Sequence, residues 1–456
     1  YGVFELDQNG KWTYTLNNTL VSTQGLSTTD SIVEEYTVKV EDSFGAFSEK
    51  VVSITITGTN DTPTVSDVAV NVSESTFADV SGMSNLVYTS TTSLIASDVD
   101  ATDTYTFAKS NFAGTTGEVG LQVSLVQSDV LFMQAYNLAS AGNATALIAL
   151  KAAFLDLIST PAIAAIVGAS NTLSTLTADI TSASDFATLI NVINANSALS
   201  LSATSTSVTV TAEATAAQTA TLEAIGAINI TVNTDGTYSL STPLVNNLAE
   251  GEVAIITFGY TATDNSGTAT ATSDVKTVSL TVTGTNDTPT VSNDTETTNV
   301  QENVLTGSIS LTDVALVDVD LTDTHTFEAL TNAVTTVVDT NSVGIGAITV
   351  SMDVNGNYTL SGAGIEKLGA GESATVTFSV QVKDDSATAT NTSTPATITL
   401  TIDGSNDTPT VSNVAVSVLE TDFAGMSNLV YTSTTSLTAS DVDATDTYTF
   451  AKSNFA

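Results

Sequence analysis

The heptapeptide Asn-Asp-Thr-Pro-Thr-Val-Ser occurs three times, starting at Asn60, Asn286 and Asn406. Each copy follows an alternating run that ends on glycine. Ile54 and Ile56 precede Gly58, Val278, Leu280 and Val282 precede Gly284, and Ile398, Leu400 and Ile402 precede Gly404. Alternation with period 2 puts the apolar side chains on one buried face of a strand. The proline that follows has no N–H to give and ends the ladder there. A strand-end motif that recurs in this way makes the chain a tandem array of one β-unit. Successive copies begin 226 and 120 residues apart. The shorter interval is the length of one sandwich domain, and the longer needs roughly a hundred residues more.

A second recurring element is a hairpin turn: Asp7-Gln-Asn-Gly-Lys-Trp-Thr-Tyr14, Asn233-Thr-Asp-Gly-Thr-Tyr238 and Asp353-Val-Asn-Gly-Asn-Tyr358. Asn-Gly and Asp-Gly between alternating runs favour the left-handed turn residue that hairpins need. The extra residues of the long repeat change period. Leu147, Leu150, Phe154 and Leu157 follow helical spacing, as do Phe186, Leu189, Ile190 and Ile193. Ser184 is the expected N-cap of the latter, and Thr160-Pro161 the expected cap and first position of a third helix. Three or four short helices are expected, as a small bundle on one β-domain. Residues 425–456 repeat 82–113 with one change, Thr438 for Ile95, and the outer heptapeptides lie 346 residues apart, so a compound unit of that length is expected to repeat. The expected division is 1–59, the C-terminal part of a β-sandwich repeat; 60–285, a repeat with a helical insertion at about 122–200; 286–405, a further repeat; and 406–456, the N-terminal part of another. Tyr1 and Ala456 both fall in mid-pattern, and the expectation is a piece of a longer polypeptide.

The formal net charge is -40, with nine lysines and no arginine. Nucleic acid and anionic membrane both need the opposite sign, so neither is an expected partner. The longest mostly apolar stretch, Leu157 to Ala169, contains Pro161 and is too short to span a bilayer. With no cysteine there are no disulfides, thiolate metal sites or cysteine nucleophiles. The natural partner of such a chain is a cation.

The acidic residues fall into recurring sets. The first is Asp98-Val-Asp100-Ala-Thr-Asp103, matched by Asp318-Val-Asp320-Leu-Thr-Asp323 and Asp441-Val-Asp443-Ala-Thr-Asp446. The second lies in a late strand-turn at Asp42, Asp264 and Asp384, and the third is an early glutamate at Glu74, Glu302 and Glu420. The linkers add Asn60 and Asp61, Asn286 and Asp287, and Asn406 and Asp407. Hard divalent cations take six to eight oxygens from carboxylates, amides and carbonyls. An Asp-x-Asp pair on an irregular loop can turn two carboxylates to one ion. Ca2+ suits so many protein oxygens better than Mg2+ does, and soft metals are disfavoured by the lack of Cys and the single His. Each Asp-x-Asp taken alone is an ordinary solvated turn; recurrence in three copies favours calcium. The spacing is not that of an EF-hand.

The pieces Asn-Gly-Lys-Trp-Thr-Tyr-Thr-Leu (9–16), Val-Glu-Asp-Ser-Phe-Gly (40–45) and Ile-Thr-Gly-Thr-Asn-Asp-Thr-Pro (56–63) resemble VCBS and related cadherin-like repeats of large bacterial surface adhesins, of the kind that form the extender regions of RTX adhesins. Ala-Ser-Asp-Val-Asp (96–100), Gln-Glu-Asn (301–303) and the Asn-Asp linkers are similar to cadherin calcium motifs. The resemblance covers nearly all of the chain outside 122–200. It implies mainly β, tandem Ig- or cadherin-like sandwiches in a rod, one with a small α-helical insertion, secreted to the bacterial surface and serving adhesion or biofilm. It implies Ca2+ at the junctions: Asn286, Asp287, Asp318, Asp320 and Asp384 with Glu74 at one; Asn60, Asp61, Asp98, Asp100 and Asp264 at another; Asn406, Asp407, Asp441 and Asp443 at a third. Glu74 and Glu420 lack the Asn that follows Glu302, and Ala387 replaces the turn glycine.

His325, the single histidine, stands where Tyr105 and Tyr448 stand in the matching copies and reads as a strand residue. Trp12 reads as packing beside its hairpin. No Ser-His-Asp set is apparent, and acidic pairs repeated in every copy suit a structural site better than an active site, so no enzymatic activity is expected. Two alternatives stay open at this point. One is a glycan- or protein-binding module that uses the helical insert. The other is a filament subunit assembled head to tail by strand complementation between copies of itself.

Overall fold

The Asn-Gly and Asp-Gly dipeptides form the turns that their spacing predicts. The computed structural model describes residues 1–79, 86–111, 119–127, 130–168, 173–204, 208–225, 227–295, 299–320, 322–419 and 430–453. In it Gly2–Leu6 pairs with Trp12–Leu16, Asn229–Val232 with Tyr238–Thr242, and Thr349–Met352 with Asn357–Ser361. The turn glycines Gly10, Gly236 and Gly356 take φ of 85°, 81° and 83°, a conformation that costs a side-chain-bearing residue. Strands account for 37% of the chain against 17% for helices, so the fold is mainly β.

The chain divides into two units, Tyr1–Asn286 with Asp320–Thr322, and Asp287–Val319 with Asp323–Ala456. In the first, one sheet is ordered Val68–Ser73, Lys276–Thr283, Val253–Asp264, Val119–Gln127, Val208–Glu213, Leu199–Ala203. Tyr105–Ser110 also pairs with Val253–Asp264, from Tyr105 opposite Asp264 to Ser110 opposite Gly259. A second sheet holds Asn229–Val232, Tyr238–Thr242, Leu86–Thr89 and Ala78–Asp79. The sheets face each other across a core in which the rings of Tyr238 and Phe258 meet edge to face at 5.3 Å. Ahead of them lie the hairpin Gly2–Leu6/Trp12–Leu16 and the longer hairpin Ser31–Glu41/Phe47–Thr57. Trp12 stacks on Phe4 at 5.8 Å and remains half exposed.

The second unit repeats the plan. Asp294–Thr295 and Val300–Gln301 run parallel to Ala396–Asp403, as Val68–Ser73 runs parallel to Lys276–Thr283. Ser373–Val380 lies antiparallel to Ala396–Asp403 and carries Thr336–Asp339 on its other side. The facing sheet is Thr306–Ser308, Asn357–Ser361, Thr349–Met352 and Leu330–Val334. Gly58, Gly284 and Gly404 answer to one need. A Cβ on Gly284 would collide with the carbonyl oxygens of Leu248 and Ala249, and one on Gly58 or Gly404 with the matching carbonyls of Leu26 and Ser27 or Leu368 and Gly369.

The insertion departs from expectation in its helices and their caps. Among the described residues five helices lie within 122–200 where three or four were expected: Val130–Ser140, Ala144–Ser159, Pro161–Gly168, Leu173–Ser182 and Phe186–Ala195. A further helix, Ala216–Ala224, follows, closed by a capping box between Thr215 and Gln218. Its short, Ala/Thr-rich sequence carries little apolar periodicity to announce it. The cap of Phe186–Ala195 is Asp185, whose Oδ1 accepts the Thr188 N–H at 2.8 Å, while Ser184 donates to the other Asp185 oxygen. The Thr160 hydroxyl turns back to the Leu157 carbonyl, although Pro161 does open the next helix. The helices pack on one another and, together, on the extended sheet. Pro161–Gly168 packs on Val208–Glu213 and Phe186–Ala195 on Leu199–Ala203, the strands that extend the sheet. Leu150, Phe154, Ile163 and Ile166 therefore belong to the same apolar cluster as Phe258 and Leu280.

Among the described residues no single helix is long and apolar enough to cross a membrane. The one pair that qualifies together, Ala144–Ser159 and Pro161–Gly168, bends by 78° and buries Leu150, Phe154, Ile163 and Ile166 in this core. A shared core predicts one cooperative transition. Phe154→Ala should cost the first unit about 3–5 kcal/mol. Far-UV helical signal and near-UV tyrosine signal should be lost together; separate transitions would mark the helices as an independent body.

Candidate metal centres

In each unit the fold draws the recurring acidic residues together by the same means. Thr64–Val65 pairs with Ala96–Ser97, which sets the Asn60–Asp61 linker against the loop that begins at Asp98. The loop is held by its own side chain: Asp98 Oδ1 accepts the N–H groups of Val99 at 2.6 Å and Asp100 at 3.3 Å. The Asp61 N–H then donates to Asp100 Oδ2 at 2.8 Å. Tyr105 lies opposite Asp264 in the ladder, which delivers that late aspartate to the same place. Asn60 Nδ2 donates to Asp264 Oδ2 at 3.1 Å. One carboxylate oxygen from each of Asp98, Asp100 and Asp103 lies within 4.8 Å of the other two.

The third copy is built alike. Thr410–Val411 pairs with Ala439–Ser440, and the Asp407 N–H donates to Asp443 Oδ2 at 2.9 Å. Two groupings meet at Asp443: Glu302, Asp407 and Asp443, and Asp441, Asp443 and Asp446. Glu302 Oε1 accepts both the N–H and the hydroxyl of Ser405 at 2.7 Å, as Glu74 Oε2 accepts the Thr285 N–H at 3.3 Å. In the second copy Asp318, Asp323 and Asp384 converge within the same 4.8 Å. Asp287 lies close enough to Asp318 to feel its charge. Asp320 is fully buried; it and Asn286 group with the first unit. Among the described residues Asp42 joins no such cluster. It sits exposed in its hairpin turn, with Oδ1 accepting the N–H groups of Phe44 and Ala46. Glu420 lies outside the described residues.

Buried oxygens without donors distinguish these clusters from solvated turns. Asp100 and Asp443 are both 2% exposed, and Oδ1 of each has no hydrogen-bond partner. The same holds for Asp98 Oδ2, Asp103 Oδ2, Asp441 Oδ2, Glu302 Oε2 and Asn60 Oδ1. A buried polar atom left without a partner costs about 1–3 kcal/mol, more when charged. Carboxylate and amide oxygens in this number, with the free lone pairs turned inward, fit a hard divalent cation. Asn60, Asp98, Asp100 and Asp103 would hold it in the first copy, and Glu302, Asp407, Asp441 and Asp443 in the third.

Asp446, the counterpart of Asp103 and Asp323 in the recurring set, joins the third cluster. One contributor was not visible in sequence. His325 Nε2 lies 2.7 Å from Asp318 Oδ2. That contact follows from strand register and could not be read from an aromatic-for-histidine exchange.

Burial, partly offset by the Asp61 N–H, raises the carboxyl of Asp100 above its ordinary 3.8, and the charges of Asp61, Asp98 and Asp264 raise it further. Burial, then Asp264, Asp100 and Asp98, raise Asp103 in the same direction. Asp446 and Asp287 are also raised, burial being the largest cause in each. A folded-state pKa above the unfolded one means that the folded form keeps protons which the unfolded form has released. Stability then falls as pH rises from about 4 through the folded-state values. In chelator, Tm should rise as pH is lowered from neutrality toward the ordinary carboxylate range at about 4. Calorimetry with millimolar calcium should show that slope diminished.

No protein-family model matches the chain, and no curated protein matches it. Solved structures similar to it include mouse protocadherin-24 EC1-3, at 10% identity over 88% of this chain and 86% of that one, TM-score 0.28. A Ca2+-stabilized adhesin that helps an Antarctic bacterium reach out and bind ice is similar at 12% identity over 89% of this chain and 63% of that one, TM-score 0.17. An endo-fucoidan hydrolase of glycoside hydrolase family 107 is similar at 13% identity; the chain spans 37% of its length, with TM-score 0.19. Scores of this size say nothing about function, which has to be argued from the carboxylates.

Proposed function

We propose that the chain is a structural, adhesive segment of an extracellular bacterial surface protein whose repeat junctions are held by Ca2+. The observation that carries this reading is the recurrence of donorless buried oxygens at the same atoms of two copies: Asp98 Oδ2 and Asp100 Oδ1, then Asp441 Oδ2 and Asp443 Oδ1. Turn residues that served only the loop would satisfy themselves or face water.

The acidic loop is also where repeat meets repeat. Within the first unit, the Ala101 N–H donates to the Gly25 carbonyl at 3.5 Å, and the Thr102 hydroxyl to Ser27 Oγ at 3.3 Å. Within the second, the Ala444 N–H donates to the Lys367 carbonyl at 3.2 Å, and the Thr445 hydroxyl to Glu372 at 2.6 Å. Bound Ca2+ supplies positive charge and takes up oxygen lone pairs that the protein leaves open. The chain's own part is to present Asp100 or Asp443 from the loop, Asp61 or Asp407 from the linker and Glu302 from the preceding repeat in one place. Without a counter-charge these groups repel one another and strain the loop's seat on the repeat before it. The repeats would thus stiffen outside the cell, where calcium is plentiful, and stay loose before export.

Asp100→Asn separates the two conditions. Removing one charge should raise Tm in chelator and lower it in millimolar calcium, while Asp7→Asn in an exposed turn should show no such crossover. Unfolding curves and calcium isotherms of the whole chain test this. Indifference of the wild type to calcium would sink the reading.

A further inference from the structure

The three acidic loops share their sequence but not their surroundings. Asp98-Val-Asp-Ala-Thr-Asp-Thr-Tyr105 and Asp441-Val-Asp-Ala-Thr-Asp-Thr-Tyr448 end on tyrosine, and Asp318-Val-Asp-Leu-Thr-Asp-Thr-His325 ends on histidine. In both tyrosine copies the first aspartate has a buried Oδ2 with no hydrogen-bond partner. In the histidine copy that atom, Asp318 Oδ2, lies 2.7 Å from His325 Nε2. A carboxylate has no proton to give, so Nε2 carries the hydrogen and donates it. The contact is well shielded, the two side chains being 12% and 4% exposed. Register fixes it. Thr326 and Phe327 pair with Lys383 and Val382, so His325 enters the ladder beside Asp384, another member of the cluster.

We infer that His325 is a positioning residue which sets the 318 loop apart from its two siblings. It occupies the carboxylate oxygen that the tyrosine copies keep for a cation. The loop is therefore partly satisfied with no ion bound, and an ion must share Asp318 with the imidazole. The histidine copy should hold its cation more weakly than the tyrosine copies and depend on it less. This rests on the calcium reading above. Changing a hydrogen-bond partner of a metal ligand alters affinity by about tenfold or more, ordinarily as a loss; here the donor takes the ligand oxygen itself, so its removal acts in the other direction.

The test is an exchange of residues between copies in the whole chain, read by calcium titration calorimetry and by thermal unfolding in chelator. His325→Tyr should tighten the weakest class of sites by about tenfold and lower the chelator Tm, because Asp318 loses its donor. Tyr105→His should do the reverse, weakening one class of sites and raising the chelator Tm. The opposite signs of the two readouts are what a packing role alone would not produce. If His325→Tyr fails to fold, Tyr105→His decides. Calcium isotherms unchanged in both variants, with wild-type binding intact, overturn the inference and leave the calcium reading standing. No calcium uptake by the wild type overturns both.

Discussion

Mutual repulsion among carboxylates that the fold itself gathers is the constraint on which the other features depend. Alternating strands and hairpin turns are a general solution to burying apolar surface. Here the ends of those strands deliver Asp264 and Asp384, the linkers deliver Asp61 and Asp407, and the loops deliver Asp100 and Asp443. The core of each unit must tolerate that concentration of charge, and burial makes it worse by removing water from Asp100 and Asp103. A protein under no pressure to keep these groups would replace them with serine or asparagine. Keeping them makes sense if an outside charge completes the structure.

Under the proposed function the clusters are half of a joint. Linker backbone N–H groups satisfy one oxygen of Asp100 and of Asp443, and leave the other free. That division of labour fixes the carboxylate's orientation before anything binds. The same loops hydrogen-bond to the backbone at Gly25 and Lys367. On the proposed reading, local electrostatics and the set of one repeat on the next are coupled at these few atoms.

Much of this was legible in the sequence because the chain serves as its own alignment. Hairpins at Gly10, Gly236 and Gly356, strands ending at Gly58, Gly284 and Gly404, and the membership of Asp98, Asp100 and Asp103 in one cluster are local patterns, and local patterns survive in sequence. What failed was non-local or finely balanced. Asp185 displaced Ser184 as a cap because adjacent residues compete for the same N–H. Periodicity reports a helix's buried face but not what it is buried against, so the core that the helices share with the sandwich could not be read from it. Asp42 has the motif of Asp264, and the hydrogen bonds seen for it among the described residues lie within its own turn. The link from His325 to Asp318 needed the strand register that only the fold supplies.

The near-verbatim duplication bears on how such a chain reaches its native pairing. Residues 105–110 and 448–453 both read Tyr-Thr-Phe-Ala-Lys-Ser. The first of these segments is the native neighbour of Val253–Asp264. Nothing in the side chains tells the second apart as a partner for that strand. A chain released all at once from denaturant faces two equivalent registers, one of which threads distant repeats through each other. A chain that emerges from its N-terminal side presents residues 105–110, and not yet 448–453, when Val253–Asp264 appears. Order of appearance thus supplies the discrimination that identical sequences cannot, a safeguard that tandem arrays need more as their copies grow more alike.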